Sequence, residues 1–268
     1  MSGTAAATYT GTMEIFAFPA WSIPVEQQMG LFKVTVVLAI IAAAYAVWRT
    51  AKTRHPYPIF VFLGAGFSIL YEPLGDILTK VAYAPVDQVS IMTAFGRPTP
   101  LWMLPNYLFF FSLPALLLEQ FVVRPDTTAR KYWLTFVGVA LFVAVFEQPG
   151  INGDIWRYYG TQAFSINTYP VWVAFANAAS LFVIAATVAL LRRTIITPRL
   201  AFLFVPIVPI VFIGTHVGGT LPIGAALYST ENQMVLDIAA LLAMAICSMV
   251  VWLAYRLLTW DGAAAREL

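Results

Sequence analysis

Residues Ile59–Thr79 read IFVFLGAGFSILYEPLGDILT, and this stretch decides the fold. As a helix at about 1.5 Å per residue it is roughly 30 Å long, which matches the hydrocarbon thickness of a bilayer. Its only carboxylates, Glu72 and Asp76, fall toward its C-terminal end. Further apolar runs follow the same pattern at Leu31–Trp48, Leu101–Val123, Tyr132–Phe146, Val171–Leu191, Leu200–Val217 and Val235–Leu258. Charged residues make up only 10% of the 268, and mean hydropathy is +0.80. A soluble domain carries roughly a quarter charged residues, so an ordinary soluble globule is excluded. The expected fold is all-α, a polytopic bundle of seven transmembrane helices. Residues 1–28 read as an outer N-terminal segment, 29–258 as the transmembrane domain and 259–268 as a cytoplasmic tail.

Basic residues collect at alternate loops, as expected where short cytoplasmic loops are enriched in Lys and Arg. Arg49, Lys52 and Arg54 follow the first span; Arg124, Arg130 and Lys131 separate the third and fourth; Arg192, Arg193 and Arg199 separate the fifth and sixth; Arg256 and Arg266 follow the last. The opposite side has Lys33, Lys80, Arg97 and Arg157 among Tyr, Trp, Pro and Gly. An odd number of spans with this bias puts the N-terminus outside and the C-terminus in the cytoplasm, and a plasma-membrane location is expected. The net charge of +2 is accounted for by these loops, so no nucleic-acid partner is expected. Met1–Gln28 lacks a basic region followed by an apolar core and does not read as a cleaved signal; Phe16, Phe18 and Trp21 suit it to the membrane surface. The single cysteine, Cys247, lies within the last span as a small packing residue.

Two short signatures recur along the chain. Tyr71-Glu72-Pro73-Leu74-Gly75-Asp76 is answered by Phe146-Glu147-Gln148-Pro149-Gly150 with Asp154 beyond it. Pro100-Leu101-Trp102 with Asn106 is answered by Pro170-Val171-Trp172 with Asn177. A fainter third copy places His216-Val217-Gly218-Gly219 where the Glu motif stands, with Asn232 before the last span. The pattern reads as one leading helix followed by three parallel helical hairpins.

An ionisable group in the membrane is costly and usually faces a protein interior or a wet cavity. Glu72, Asp76, Glu147, His216, Asp237, Asn106 and Asn177 all fall in the outer half of their spans, whereas the inner half holds Glu119. Glu72 and Asp76, at i and i+4, share a helix face; two carboxylates so placed do not both ionise easily, and a retained proton suits a general acid. Pro73 between them interrupts the hydrogen-bond ladder. Tyr71, Trp102, Tyr107, Trp156, Tyr158, Tyr159, Tyr169 and Trp172 crowd the same side, as an interfacial belt or as walls of a pocket that stabilises a cation. Only His55 and His216 are available, too few for the multi-histidine metal sites of membrane hydrolases, and the last predicted span has no lysine for a retinal Schiff base. No metal site and no cofactor is expected.

With Glu72 in the second span and Asp237 in the last, the chain resembles in plan the small seven-helix membrane terpene cyclases of meroterpenoid pathways. That resemblance implies protonation of a prenyl epoxide or alkene by Glu72 with Asp237 as partner acid. From the residues themselves Glu147 joins these as a catalytic candidate. Tyr71, Asp76, Trp102, Asn106, Trp172, Asn177 and His216 are the candidate substrate-binding residues. The expected partners are an apolar or lipid-like substrate and membrane lipid. A proton-coupled transporter or a seven-helix receptor for a small ligand fits the same residues.

Overall fold

The computed structural model describes residues 18–259. Phe16 and most of the predicted outer segment, and Arg266 with nearly all of the predicted tail, lie outside the described residues. The first helix, α1 (Val25–Thr53), already starts inside the segment 1–28 read as lying outside the spans. It is followed by α2 (Tyr57–Phe67) and α3 (Glu72–Thr79), joined by a 3-10 turn at Ser68–Tyr71, then by α4 (Met103–Phe110) and α5 (Leu113–Val122). The remaining helices are α6 (Ala129–Asn152), α7 (Val171–Thr194), α8 (Phe204–Ser229) and α9 (Gln233–Thr259). Six helical segments are long and apolar enough to cross a membrane, so this is a multi-pass membrane protein.

The predicted span Leu101–Val123 is not one helix but two short ones. Pro114 has no N–H for the carbonyl four residues back and its ring crowds that carbonyl, so the ladder stops at Phe110 and restarts at Leu113. Ser112 lends its hydroxyl to the Leu108 carbonyl beside the break. Pro73 acts more mildly, tightening the preceding residues Ser68–Tyr71 into the 3-10 turn that leads into Glu72. Two helices run farther than hydropathy suggests. The sixth predicted span ends at Val217, but α8 continues to Ser229, so His216 is in mid-helix; α6 carries Glu147 and Pro149 within its last turns.

Strands appear where only loops were expected, but they are two to five residues long and leave the fold mostly helical, as the all-α reading expects. They form three two-stranded ribbons at one end of the bundle, the end opposite the Lys- and Arg-rich loops. β1 (Val81–Tyr83) pairs antiparallel with β4 (Trp156–Tyr158), Val81 facing Tyr158 and Tyr83 facing Trp156. β2 (Ser90–Ala94) pairs with β3 (Arg97–Pro100), and β5 (Ser165–Ile166) with β6 (Tyr169–Pro170). Both hairpins turn through two residues at positive φ, Phe95-Gly96 and Asn167-Thr168, the geometry that matches strand twist.

The core has α7 at its centre, buried on nearly every face and packed by α5, α6, α8 and α9. Small residues let neighbours close in: a Cβ on Gly64 would lie 2.7 Å from the Phe204 carbonyl oxygen of α8, and one on Gly66 2.7 Å from Leu108 of α4. Close approach through glycine is how membrane helices gain dispersion where lipid offers no hydrophobic driving force.

Candidate functional site

A cavity enclosing about 640 Å³ of atom-free space, its mouth included, lies toward the hairpin end among α3, α4, α6, α7, α8 and the β1/β4 ribbon. Glu72, Asp76, Glu147, His216, Asn106 and Asn177 all line it, as does Tyr71. The helices therefore bring together seven of the ten residues singled out from sequence.

Glu72 is the best-held of them. The 3-10 turn before it and Pro73 after it fix the backbone, and the residue is 8% exposed. Tyr83 donates to Oε1 at 2.5 Å, and Tyr107 donates to Oε2. Both phenols are buried, and the Tyr83 hydroxyl, outside the spans, is pushed well above the ordinary tyrosine value by burial and by the Glu72 charge. Tyr83 therefore keeps its proton through the neutral range. One turn on, Asp76 is 2% exposed and its Oδ1 meets no hydrogen-bond partner. Tyr71 and His216 meet at 3.2 Å between Oη and Nδ1, with Phe212 packed on both rings.

On the facing wall Glu147 is partly exposed. Near it Trp156 sits so tightly over α6 that a Cβ on Gly150 would come within 1.9 Å of its ring. Trp156 stacks on Trp102 at 5.7 Å and 29°, and meets Tyr83 edge-on at 6.3 Å. The cavity thus combines acids with an aromatic wall of Tyr71, Tyr83, Tyr107, Phe111, Trp156 and Phe212.

Three expected site residues do not line it. Asp237 is half-buried in the first turns of α9, where it accepts from Gln233 Nε2 at 2.8 Å; the rotation of α9 turns it away from Glu72. Trp102 is buried behind Trp156 as a supporting ring, and Trp172 is packed in the core of α7 with its indole N–H unpartnered. Tyr83, conversely, was missed. Its signal was spacing: Tyr83 follows Glu72 by eleven residues, as Tyr158 follows Glu147, and both tyrosines line the cavity.

No known family model, curated protein or solved structure matches this chain. Its chemistry rests on the side chains themselves. Among the described residues no group of three His, Cys, Asp or Glu is placed to hold a metal ion. What the arrangement can do is present a carboxyl group, held by two phenols, to a molecule surrounded by rings.

A second polar cluster sits at the basic end. Glu119 of α5, 1% exposed, accepts from Arg192 of α7 at 2.6 Å, from Tyr57 of α2 at 3.1 Å and from Arg49 of α1 at 3.4 Å. It joins four helices at their basic-loop ends with two positive charges against one negative.

Proposed function

We propose that this chain is a membrane-embedded acid–base enzyme that cyclises or isomerises an apolar, isoprenoid-type substrate by carboxylic-acid protonation. The observation that carries the reading is Glu72, buried, gripped at both oxygens by Tyr83 and Tyr107, and facing a cavity walled by aromatic rings. In its protonated form Glu72 gives its proton to an alkene carbon or an epoxide oxygen, leaving a carbocation. Ring π-faces stabilise that charge where water is scarce. Ring closure or double-bond migration follows, and a carboxylate takes a proton from the adjacent carbon, so the product is an isomer of the substrate and the site regains its proton. We assign this return step to Glu147 and Asp76, which line the cavity, rather than to Asp237, the partner acid implied by the resemblance to terpene cyclases, which does not.

The proposal extends to topology. The Glu72 end is outside, the C-terminus is cytoplasmic and the membrane is the plasma membrane, in keeping with the basic loops. The hairpins α2–α5 and α6–α7 are copies of one unit. Supporting this, Glu72 and Glu147 stand nine residues before Val81 and Trp156, and the β1/β4 pairing centres on Ala82 opposite Arg157, ten residues after each Glu. Gly75, Gly150 and Gly219 each follow Glu72, Glu147 or His216 by three, which extends the likeness to α8.

The test is mass spectrometry of lipid extracts from membranes holding wild type or Glu72→Gln, supplied with linear and epoxidised prenyl substrates. An isomeric product made by wild type alone supports the reading; identical lipids in both overturn it. One observation favours a second reading, proton-coupled transport: the ionic cluster at Glu119 closes the basic end while the cavity lies toward the other. Proton uptake into liposomes that depends on Glu72 would favour transport.

A further inference from the structure

The lining of the Glu72 cavity is unevenly exposed. The walls from α3, β1, α7 and α8 are buried, whereas the partly exposed members are Asn106 on α4, Phe146 and Glu147 on α6, and Trp156 and Tyr158 on β4. On the β4 side the ribbon's hydrogen bonds to β1 and the rings of Tyr83 and Trp102 cover the opening. Passage there would break backbone hydrogen bonds.

Between α4 and α6 stand phenylalanine rings instead. Phe146 meets Phe110 at 5.5 Å and Phe109 at 6.3 Å. The two helices otherwise pack away from each other, α4 on α1 and α2, α6 on α7. A phenyl ring held only by its neighbours can swing about its side-chain torsions without any hydrogen bond being lost. Just outside this row α6 presents Leu141, Phe142 and Val145 at 62%, 48% and 70% exposure, within a helix apolar enough to span a membrane. Such an exposed apolar face on a membrane-spanning helix is suited to contact with lipid tails.

We infer that the cavity opens sideways into the bilayer between α4 and α6, through a gate formed by Phe110 and Phe146 with Asn106 at its sill. The substrate is then a slender, single-chain lipid-like molecule drawn from the membrane, its reactive end directed at Glu72 and its apolar chain lying across the phenylalanines. A water-borne polar solute does not fit such an entrance. The substrate class rests on the acid–base reading above; the lateral opening stands on the packing alone.

The experiment reports on the opening without activity. In a Cys247→Ser background, which removes the only cysteine, Asn106→Cys is spin-labelled in detergent and reconstituted into phospholipid vesicles. Collision rates with oxygen, which concentrates in lipid, are compared with those of a water-soluble nickel chelate. Val145→Cys serves as the lipid-facing reference and Thr168→Cys, at an exposed hairpin tip, as the aqueous one. Phe109→Cys is the second probe should Asn106→Cys not fold. Oxygen dominating at position 106 or 109 as at 145, and its collision rate there falling in a Phe146→Trp variant, is the expected result. Nickel dominating as at 168, or neither reagent reaching the label, overturns the lateral gate. A lipid-facing mouth combined with unchanged lipids in the Glu72→Gln comparison would retain the gate and sink the enzyme reading instead.

Discussion

At Glu72 the energetic question is what two phenols contribute to one buried carboxyl. A hydrogen bond contributes about 0.5–1.5 kcal/mol net, and leaving a buried acceptor unpaired costs about 1–3 kcal/mol. Tyr83→Phe should therefore lower stability by about 1–3 kcal/mol, seen as a drop in the thermal midpoint in detergent, and should slow product formation. Glu72→Gln should behave differently, because the amide can accept from one tyrosine and donate to the other. It is expected to fold, with a thermal midpoint near that of wild type, and to make no isomerised product. A midpoint falling as far as that of Tyr83→Phe would mean that Glu72 matters chiefly for structure. Asp237 offers the converse: it is tied to Gln233 outside the cavity, so Asp237→Asn should retain turnover. If Asp237→Asn abolished turnover while Glu147→Gln and Asp76→Asn did not, the assignment of the return step to Glu147 and Asp76 would be wrong. Sequence could place all three acids toward the span ends that lack the basic loops. It could not say which faced inward, because the rotation of α9 is set by packing against α7 and α8.

Among the elements, six of the seven predicted spans were legible because a bilayer demands length and hydropathy; the remaining one, Leu101–Val123, is broken at Pro114 into two short helices. The ribbons were not legible, because strands of two to five residues amid Pro and Gly carry too little alternation to stand out. The end of α8 was misread for a related reason. His216, Gly218 and Gly219 resemble a helix end in sequence, yet Gly219 is there to let α9 approach, since its Cβ would fall 2.6 Å from the Cys247 sulfur. The junction of α6 with the ribbon makes a sharp test. Gly150→Ala would drive a methyl into the Trp156 ring, whereas Gly138→Ala on the same helix meets nothing within 4 Å. The first should cost about 1–3 kcal/mol by overpacking, and the second should leave the thermal midpoint unchanged or slightly raised. The ribbon end also sets an alkaline limit. Burial first, then the nearby carboxylates, push Tyr83, Tyr158 and Tyr169 well above the ordinary value of 10.0. In the unfolded chain these phenols ionise first, so their contribution to stability is complete below pH 10.0 and is lost as pH rises beyond it. Thermal midpoints measured across pH should be insensitive to these groups near neutrality and should decline above the ordinary tyrosine value. Phenylalanine at position 169 should lessen that decline.

Across the whole molecule two polar layers lie at different depths, and their contrast bears on what the bundle does. The hairpin-end layer surrounds empty space; the basic-end layer around Glu119 is compact and ties α1, α2, α5 and α7 together. Removing the one negative charge from between Arg49 and Arg192 leaves two cations facing each other in a dry setting, a change that typically costs about 3–5 kcal/mol for a buried pair. Glu119→Gln should accordingly lower the thermal midpoint far more than loss of the exposed Asp126 partner of Arg124 and Lys131. If the cluster is only a staple, a folded Glu119→Gln protein still converts substrate. If it is the inner closure of a transporter, the same variant leaks protons across a liposome membrane. Orientation links the two layers. Lys52, Arg124, Lys131, Arg193 and Arg256 gather at the Glu119 end, and the ribbons at the other carry far fewer cations. Translocating loops rich in Lys and Arg is disfavoured, so the orientation proposed above puts the Glu119 end in the cytoplasm. A fluorescent protein that matures only in the cytoplasm, fused after Leu268, should therefore glow, and a periplasmic phosphatase fused there in a bacterial host should be inactive. The reverse pair of results would invert the bundle, place the Glu72 cavity in the cytoplasmic leaflet and require that any lipid substrate be drawn from that side.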